Sequence, residues 1–350
     1  MEYKFIDLFA GIGGFRKGFE DAGFKCVFTS EINPPCQQVY KANFGILPHG
    51  DITKINPTSI PNFDILLGGF PCQPFSISGK KMGFDDTRGT LFFNICQIIE
   101  EKKPKIVVLE NVKHLIHHDS KKTFKTILNA LSELGYNVTH QIVNAKNFGL
   151  PQNRERIFII ATKKDFFDFS KLKKQSKTIL RDFLDEEGDF EYLDKSEYTL
   201  IDAPKEQDTG LIFVGYRNKN TWKTGVRPDT EHLSRVHRQP NRIYSVDGTH
   251  PTIPSQETAG RFFIYLPELD KVRKLTINEC YKIMGFPSNF IKHSTVGEQY
   301  KQIGNSVAIP VIKAIAETIK TQKLLEDEPQ RSVAGNLKLF SSTNILIFKN

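Results

Sequence analysis

Short apolar runs alternate with longer amphipathic ones from residue 3 to about residue 162, the pattern of strand and helix that builds a mostly parallel sheet. Runs at 4–9, 26–31, 65–68, 106–110, 138–143 and 156–162 read as strands. Between them, apolar residues recur every three or four positions at 14–22, 90–101 and 123–134, as on the buried face of a helix. A doubly wound α/β domain is the economical prediction. The pattern breaks near residue 165, and helical periodicity returns at 276–284 and 307–324, so the irregular middle reads as an insert within a larger fold. Past Glu326 an apolar run at 344–348 suits an added strand or a flexible end, and no role is assigned to it.

With 350 residues the chain is long enough for two domains at roughly 100–200 residues each. A formal charge of +8 favours an acidic partner such as nucleic acid without requiring one. Its distribution changes the picture. Residues 181–208 hold eleven acids against three bases, whereas 216–243 hold Arg217, Lys219, Lys223, Arg227, Arg235, Arg238 and Arg242 against Asp229 and Glu231. Interleaved with Tyr216, Trp222 and Gln239, these cations suit a surface that holds phosphates and reaches base edges. A solvated basic face is the plainer alternative.

Five cysteines, at 26, 36, 72, 96 and 280, form no CxxC pair, so neither a disulfide framework nor a metal site is expected. No stretch approaches about 18 consecutive apolar residues and no secretory leader is evident. A soluble, cytoplasmic protein with no membrane partner is the expectation.

The first strand runs into the glycine-rich turn Asp7-Leu8-Phe9-Ala10-Gly11-Ile12-Gly13-Gly14, which opens a helix. A dinucleotide fingerprint would need glycine where Arg16 stands, so the turn fits a nucleoside cofactor such as S-adenosylmethionine better than a pyrophosphate. Glu31, ending the second strand, suits ribose hydroxyls, and Asp51 suits an adenine amino group. Each acid alone is more ordinarily a helix cap or a surface charge.

The third strand leads into Gly69-Phe70-Pro71-Cys72-Gln73-Pro74-Phe75-Ser76, where two prolines stiffen a loop around a cysteine. The next strand ends in Glu110-Asn111-Val112, so a thiol and a carboxyl face one sheet edge. Carbon 5 of cytosine is a poor nucleophile. Addition of a thiolate at carbon 6, with a proton or hydrogen bond supplied at N3, turns the ring into an enamine able to take a methyl group from a sulfonium. Arg154 and Arg156, just before the last strand, suit Glu110, the cytosine O2 or a phosphate; a surface pairing with Glu155 is the alternative.

These residues resemble a known family. DLFAGIGG, GFPCQPFS, ENV, QNRER, RKLTINE and GNSV stand in the order and approximate spacing of the motifs of bacterial DNA (cytosine-5)-methyltransferases of type II restriction-modification systems, of the single-chain HhaI type. The resemblance spans residue 5 to about 324. It implies a Rossmann-like S-adenosylmethionine-dependent fold, yielding S-adenosylhomocysteine, with a smaller irregular target-recognition domain. Cys72 would be the nucleophile, Glu110 would engage N3 and the exocyclic amine, and Arg154 and Arg156 would orient the cytosine and its phosphate. Phe9 would lie against the adenine within the turn of Gly11 and Gly13, Glu31 would hold the ribose, and Asp51 and Ile52 would meet the adenine edge. Asn305, Ser306 and Val307 would return from far along the chain to complete that site beside Pro71. Ile32 departs from the pattern, which has tryptophan there.

Gln73 and Ser78 match loop positions that approach DNA once the base has left the stack, a displacement that attack at carbon 6 requires. Ser76, Lys80 and Arg88 belong to the same loop, whose glycines suit closure over a duplex. Arg227 and Arg242, with Thr252 in the segment 241–261, are the expected DNA contacts of the recognition region. The boundaries that follow are 1–185 and 277–325 for a discontinuous catalytic domain, 186–276 for target recognition, and 326–350 for a tail. A monomer acting on double-stranded DNA in the bacterial cytosol, at the nucleoid, is expected. A tRNA cytosine methyltransferase is the nearest rival, but the Cys-Phe-Thr signature of that branch is absent. A nucleotide-dependent oxidoreductase or a catalytically silent DNA-binding module would leave Cys72 and Glu110 without a purpose.

Overall fold

The computed structural model describes residues 2–71, 91–218, 241–255 and 263–326. Strands β1 (Lys4–Leu8), β2 (Lys25–Ser30), β3 (Ile65–Gly68), β4 (Ile106–Val112), β5 (Asn137–Asn144) and β7 (Glu155–Thr162) form one sheet in the order β2-β1-β3-β4-β7-β5. The first four are parallel, while β7 runs antiparallel to both of its neighbours. A parallel pairing needs a crossover of a dozen or more residues, normally a helix, and the ten residues between β5 and β7 hold a short 3-10 turn at Ala145–Asn147 and a two-residue strand but no α-helix.

Alternation along the strands buries both faces. Phe5, Ile65, Leu67, Ile106 and Val108 pack with Phe15 and Phe19 of α1 (Gly14–Asp21) and with the helix near the chain's end. Ile6, Leu66, Val107 and Leu109 pack on the other face with Ile95 and Ile99 of α3 (Leu91–Lys102) and Ile127 and Leu131 of α4 (Lys122–Glu133). Burial on both sides explains why these strands are apolar throughout rather than alternating. Helix α2 (Pro34–Phe44) escapes the periodic reading because it buries only Val39 and Tyr40; Asn33, whose side chain accepts from the Cys36 N–H, and Pro34 start it.

The segment read as irregular contains a second sheet. Strands β8 (Tyr198–Glu206), β9 (Ile212–Arg217), β10 (Arg242–Ser245), β12 (Phe263–Leu266) and β13 (Lys271–Lys274) lie in the order β13-β12-β10-β9-β8. Four of these are only four to six residues long and nearly half of β8 is solvent-facing, so no clear period marks them. The two sheets are joined by a two-residue pairing of β6 (Gln152–Asn153) with β11 (His250–Pro251).

The chain then returns through α5 (Ile277–Lys282), α6 (Val296–Asn305) and α7 (Ile309–Thr321). Thr276 and Glu279 cap α5 reciprocally, and Glu279 also takes two bonds from Arg273 of β13, at 2.8 and 2.7 Å, with both side chains almost fully buried. Instead of one helix over 307–324, Ser306 to Ala308 are extended or turned and α7 begins at Ile309, with Pro310 in its first turn. α7 packs beside α1 against the central sheet through Ile312, Ile315 and Ile319. Among the described residues no helix is long and apolar enough to cross a membrane, and no cluster of His, Cys, Asp or Glu could hold a metal ion.

Candidate active site

The strand order reverses at β1, with β2 on one side and β3 on the other, so the carboxyl ends of these strands leave a crevice at the point where ligands bind in such sheets. A cavity of about 480 Å³ lies there. Its wall begins at the turn after β1, where Phe9, Gly11 and Gly13 all take positive φ (56°, 55° and 87°). A side chain at Gly13 would run into the Phe44 ring, at 2.2 Å from a Cβ, and Phe9 pays for its left-handed backbone with strain of the kind that clusters at functional sites. Phe9 and Gly11 line the cavity; Gly13 shapes the turn behind it.

Glu31 closes the turn. Its Oε2 accepts from the Gly11 N–H and its Oε1 from the Asn33 N–H, both at 2.8 Å, which locks the carboxylate at the cavity wall. A carboxylate offers about four acceptor sites, so two bonds leave capacity for a ligand's hydroxyls. Asp51 Oδ1 caps the 3-10 turn at Ile52–Lys54 through the Thr53 N–H and hydroxyl, and these bonds hold its carboxyl below the usual value. Asp51 thus does the capping expected of an isolated acid while also lining the cavity, next to the buried Ile52. Ile32 lines it as well and is 66% exposed.

Across the cavity stand Pro71, Glu110 and Arg156. Glu110 is buried at the end of β4, and burial pushes its carboxyl above the ordinary carboxylate range against the pull of Arg156 and Arg154. Arg156 Nε lies 3.1 Å from Glu110 Oε1. Such a carboxyl can hold a proton for delivery, and the guanidinium fixes its orientation. The Glu155 carboxylate instead pairs with Lys113 at 3.0 Å, while its main-chain carbonyl accepts from Arg156 at 2.9 Å.

Arg154 differs from the sequence-based expectation in its contacts. Only 2% exposed, it donates to the main-chain carbonyls of Ile253 (3.2 Å), Gly304 (2.9 Å) and Ser306 (2.5 Å). Asn305, the last residue of α6, and Ser306 and Val307 after it line the cavity. Thr252 turns its hydroxyl onto the Asn153 carbonyl at 2.7 Å, and Arg242 is half-buried on β10. Cys72, Gln73, Ser76, Ser78, Lys80, Arg88 and Arg227 lie outside the described residues.

Two residues at the site escaped the sequence reading. Asn111 donates to the Phe70 carbonyl at 2.8 Å, tying the chain that leads to Cys72 onto the end of β4. Gln302 lines the cavity at 4% exposure, and neither its amide oxygen nor its nitrogen has a partner among the described residues. Asn111 was visible as the polar middle of ENV, but nothing in the sequence separates Gln302 from an ordinary helical glutamine.

Residues 3–321 match the family described as C-5 cytosine-specific DNA methylase. The chain is 44% identical over 326 residues to the type II methyltransferase M1.ScrFI of Lactococcus lactis subsp. cremoris, covering 90% of this chain and 77% of that protein. It is 40% identical over 328 residues to M.HhaI of Haemophilus parahaemolyticus, covering 90% and 94%. Among solved structures, the Dnmt2 methyltransferase of S. pombe superposes with a TM-score of 0.65 at 18% identity, covering 92% of this chain and 99% of that one. The Entamoeba histolytica methyltransferase EhMeth does so with a TM-score of 0.65 at 21% identity, with the same coverage.

Proposed function

The chain belongs to the family of C-5 cytosine-specific DNA methylases, and on that premise we propose that its methyl donor is S-adenosylmethionine and that Cys72 and Glu110 carry the transfer. The enzyme methylates carbon 5 of cytosine within a specific DNA sequence, in restriction-modification. The observation that carries the reading of the site is the buried Glu110 carboxyl, clasped by Arg156 in the same cavity whose opposite wall is the glycine turn and Glu31.

The cavity's chemistry fits a nucleoside sulfonium. Glu31 has acceptor capacity for two ribose hydroxyls, Asp51 and Ile52 offer a polar and an apolar edge to a purine, and Phe9 offers a ring face. The Gln302 amide, unpartnered among the described residues, adds an NH2 donor group and a carbonyl acceptor. When bound, S-adenosylmethionine supplies an electrophilic methyl group.

In this reading Cys72, as thiolate, adds to carbon 6 of a cytosine displaced from the duplex, while Glu110 donates its proton toward N3. Arg156 holds Glu110 in place and faces the cytosine O2. Carbon 5 of the resulting enamine takes the methyl group, leaving the donor as S-adenosylhomocysteine; N3 returns its proton to the Glu110 carboxylate, and loss of the C5 proton to solvent expels the Cys72 thiolate. Residues 1–185 and 277–325 form the catalytic domain and 186–276 the recognition domain, in which Arg227, Arg242 and Thr252 meet DNA; Gln73, Ser76, Ser78, Lys80 and Arg88 do so from the loop after the nucleophile. The enzyme acts as a monomer at the nucleoid of the bacterial cytosol and protects host DNA from a cognate endonuclease.

The test is a duplex library incubated with methyl-labelled S-adenosylmethionine, followed by mapping of the methylated sites. Duplex with 5-fluorocytosine at the mapped target is expected to become covalently trapped on Cys72, because fluorine cannot leave as a cation. An active enzyme that yields no such adduct overturns the mechanism.

A further inference from the structure

Arg154 stands where three distant parts of the chain meet. Its planar fork has five donors in fixed geometry, and three bonds go to carbonyls of Ile253, Gly304 and Ser306. Gly304 lies in the last turn of α6, where carbonyls lack intrahelical partners and a cation is favourable. The residues that follow it, Asn305 to Val307, line the cavity. Ile253 lies two residues past the end of β11, ahead in sequence of β12 of the second sheet.

Gln152, two residues before Arg154, does the same work. Its Nε2 donates to the Ile283 carbonyl at 3.0 Å, and its Oε1 accepts from the Ile253 N–H at 3.3 Å. The two segments also touch directly: a Cβ on Gly304 would stand 2.1 Å from the Pro254 carbonyl oxygen. Arg154 also lines the cavity and its Nε has no partner among the described residues, but the rest of the fork is committed to main-chain carbonyls.

We propose that Arg154 is a positioning residue that ties the segment 250–255 of the recognition region to the wall of the methyl-donor cavity, so that duplex binding and donor binding depend on one side chain. This rests on the reading of the cavity as the S-adenosylmethionine site. A residue that instead touched the reacting cytosine would act on the chemical step.

The two roles separate kinetically in the full chain, with S-adenosylmethionine and a duplex carrying the mapped target. Arg154→Lys has one point charge for three carbonyls, and it is expected to raise both the KM for donor and the Kd for duplex by about tenfold or more, the effect of losing a charge-assisted hydrogen bond. At saturation of both ligands kcat is expected to fall by less than about threefold. Gly304→Ala keeps the guanidinium but forces the two segments apart, so the same joint shift is expected; it carries the test alone if Arg154→Lys does not fold. Unchanged binding constants with a lowered kcat, or a shift in only one of the two constants, overturn the proposal. A wild-type chain that binds no S-adenosylmethionine overturns instead the donor reading on which it rests.

Discussion

Arg156 reaches Glu110 diagonally across the antiparallel pair of β4 and β7: the register sets Glu110 opposite Phe158 and Val112 opposite Arg156, and the Arg156 Nε still lies 3.1 Å from Glu110 Oε1. Diagonal neighbours on one sheet face are within reach of long side chains. The reversal of β7 is what makes this possible, because it brings residue 156, rather than residue 162, to the carboxyl edge of the sheet. Replacing Glu110 with Gln preserves shape and a hydrogen-bond donor but removes the transferable proton. A fall in kcat of about 10²–10⁴ is expected, with duplex affinity little changed. Single-turnover methylation beside duplex titration measures the two.

The same carboxyl sets a pH dependence. Burial raises the Glu110 pKa, so the protonated, donating form persists above the normal carboxylate range and is lost as pH rises through the raised value. In the profile of kcat/KM for the duplex, a descending limb above the usual carboxylate range is expected, and Glu110→Gln is expected to lack it. A limb unaffected by that substitution belongs to another group.

Asp7, fully buried behind the glycine turn, has its carboxyl pushed up to about 8 by burial, against the pull of Arg16. The unfolded chain releases this proton near 3.8, so between that pH and about 8 the folded state binds more protons than the unfolded one. Stability therefore falls as pH rises across the window. Asp7→Asn is expected to flatten the decline, raising Tm at pH 8 more than at pH 5. Thermal melts of both proteins at the two pH values decide it.

Arg273 and Glu279 are 2% and 0% exposed at their side chains and share two hydrogen bonds. Removing one partner leaves a buried charge uncompensated, so Glu279→Ala is expected to cost about 3–5 kcal/mol of stability, part of it through loss of the α5 cap. A double-mutant cycle with Arg273→Met is expected to recover part of that loss. Urea unfolding of the four proteins provides the numbers.

Arg242 belongs to the basic stretch at 216–243, proposed to meet DNA, and sits half-buried on β10. If it serves a phosphate, Arg242→Ala weakens all duplexes alike and lowers the salt slope of binding by about one. That is the expected outcome. A loss of about 1–3 kcal/mol confined to duplexes with one altered base pair would mark it as a base reader instead. Titration of a panel of altered sites at several salt concentrations tells them apart.

The alternation of apolar residues determined the central sheet, because strands buried on both faces must be apolar in runs and the helices between them must present one apolar stripe. Phe5, Ile65 and Val108 carry that signal in any context, and the motifs around Phe9, Glu110 and Ser306 pointed to one edge of the sheet, where these three residues line one cavity. The second sheet was not legible, since strands such as Arg242–Ser245 and Phe263–Leu266 are too short for a period to emerge. Nor were the long-range bonds: that Arg154 grips Ser306, 152 residues away, depends on where β6, β11 and α6 come together. A residue's type limits which bonds it can make, but which carbonyl stands in front of it is decided only when the chain closes on itself.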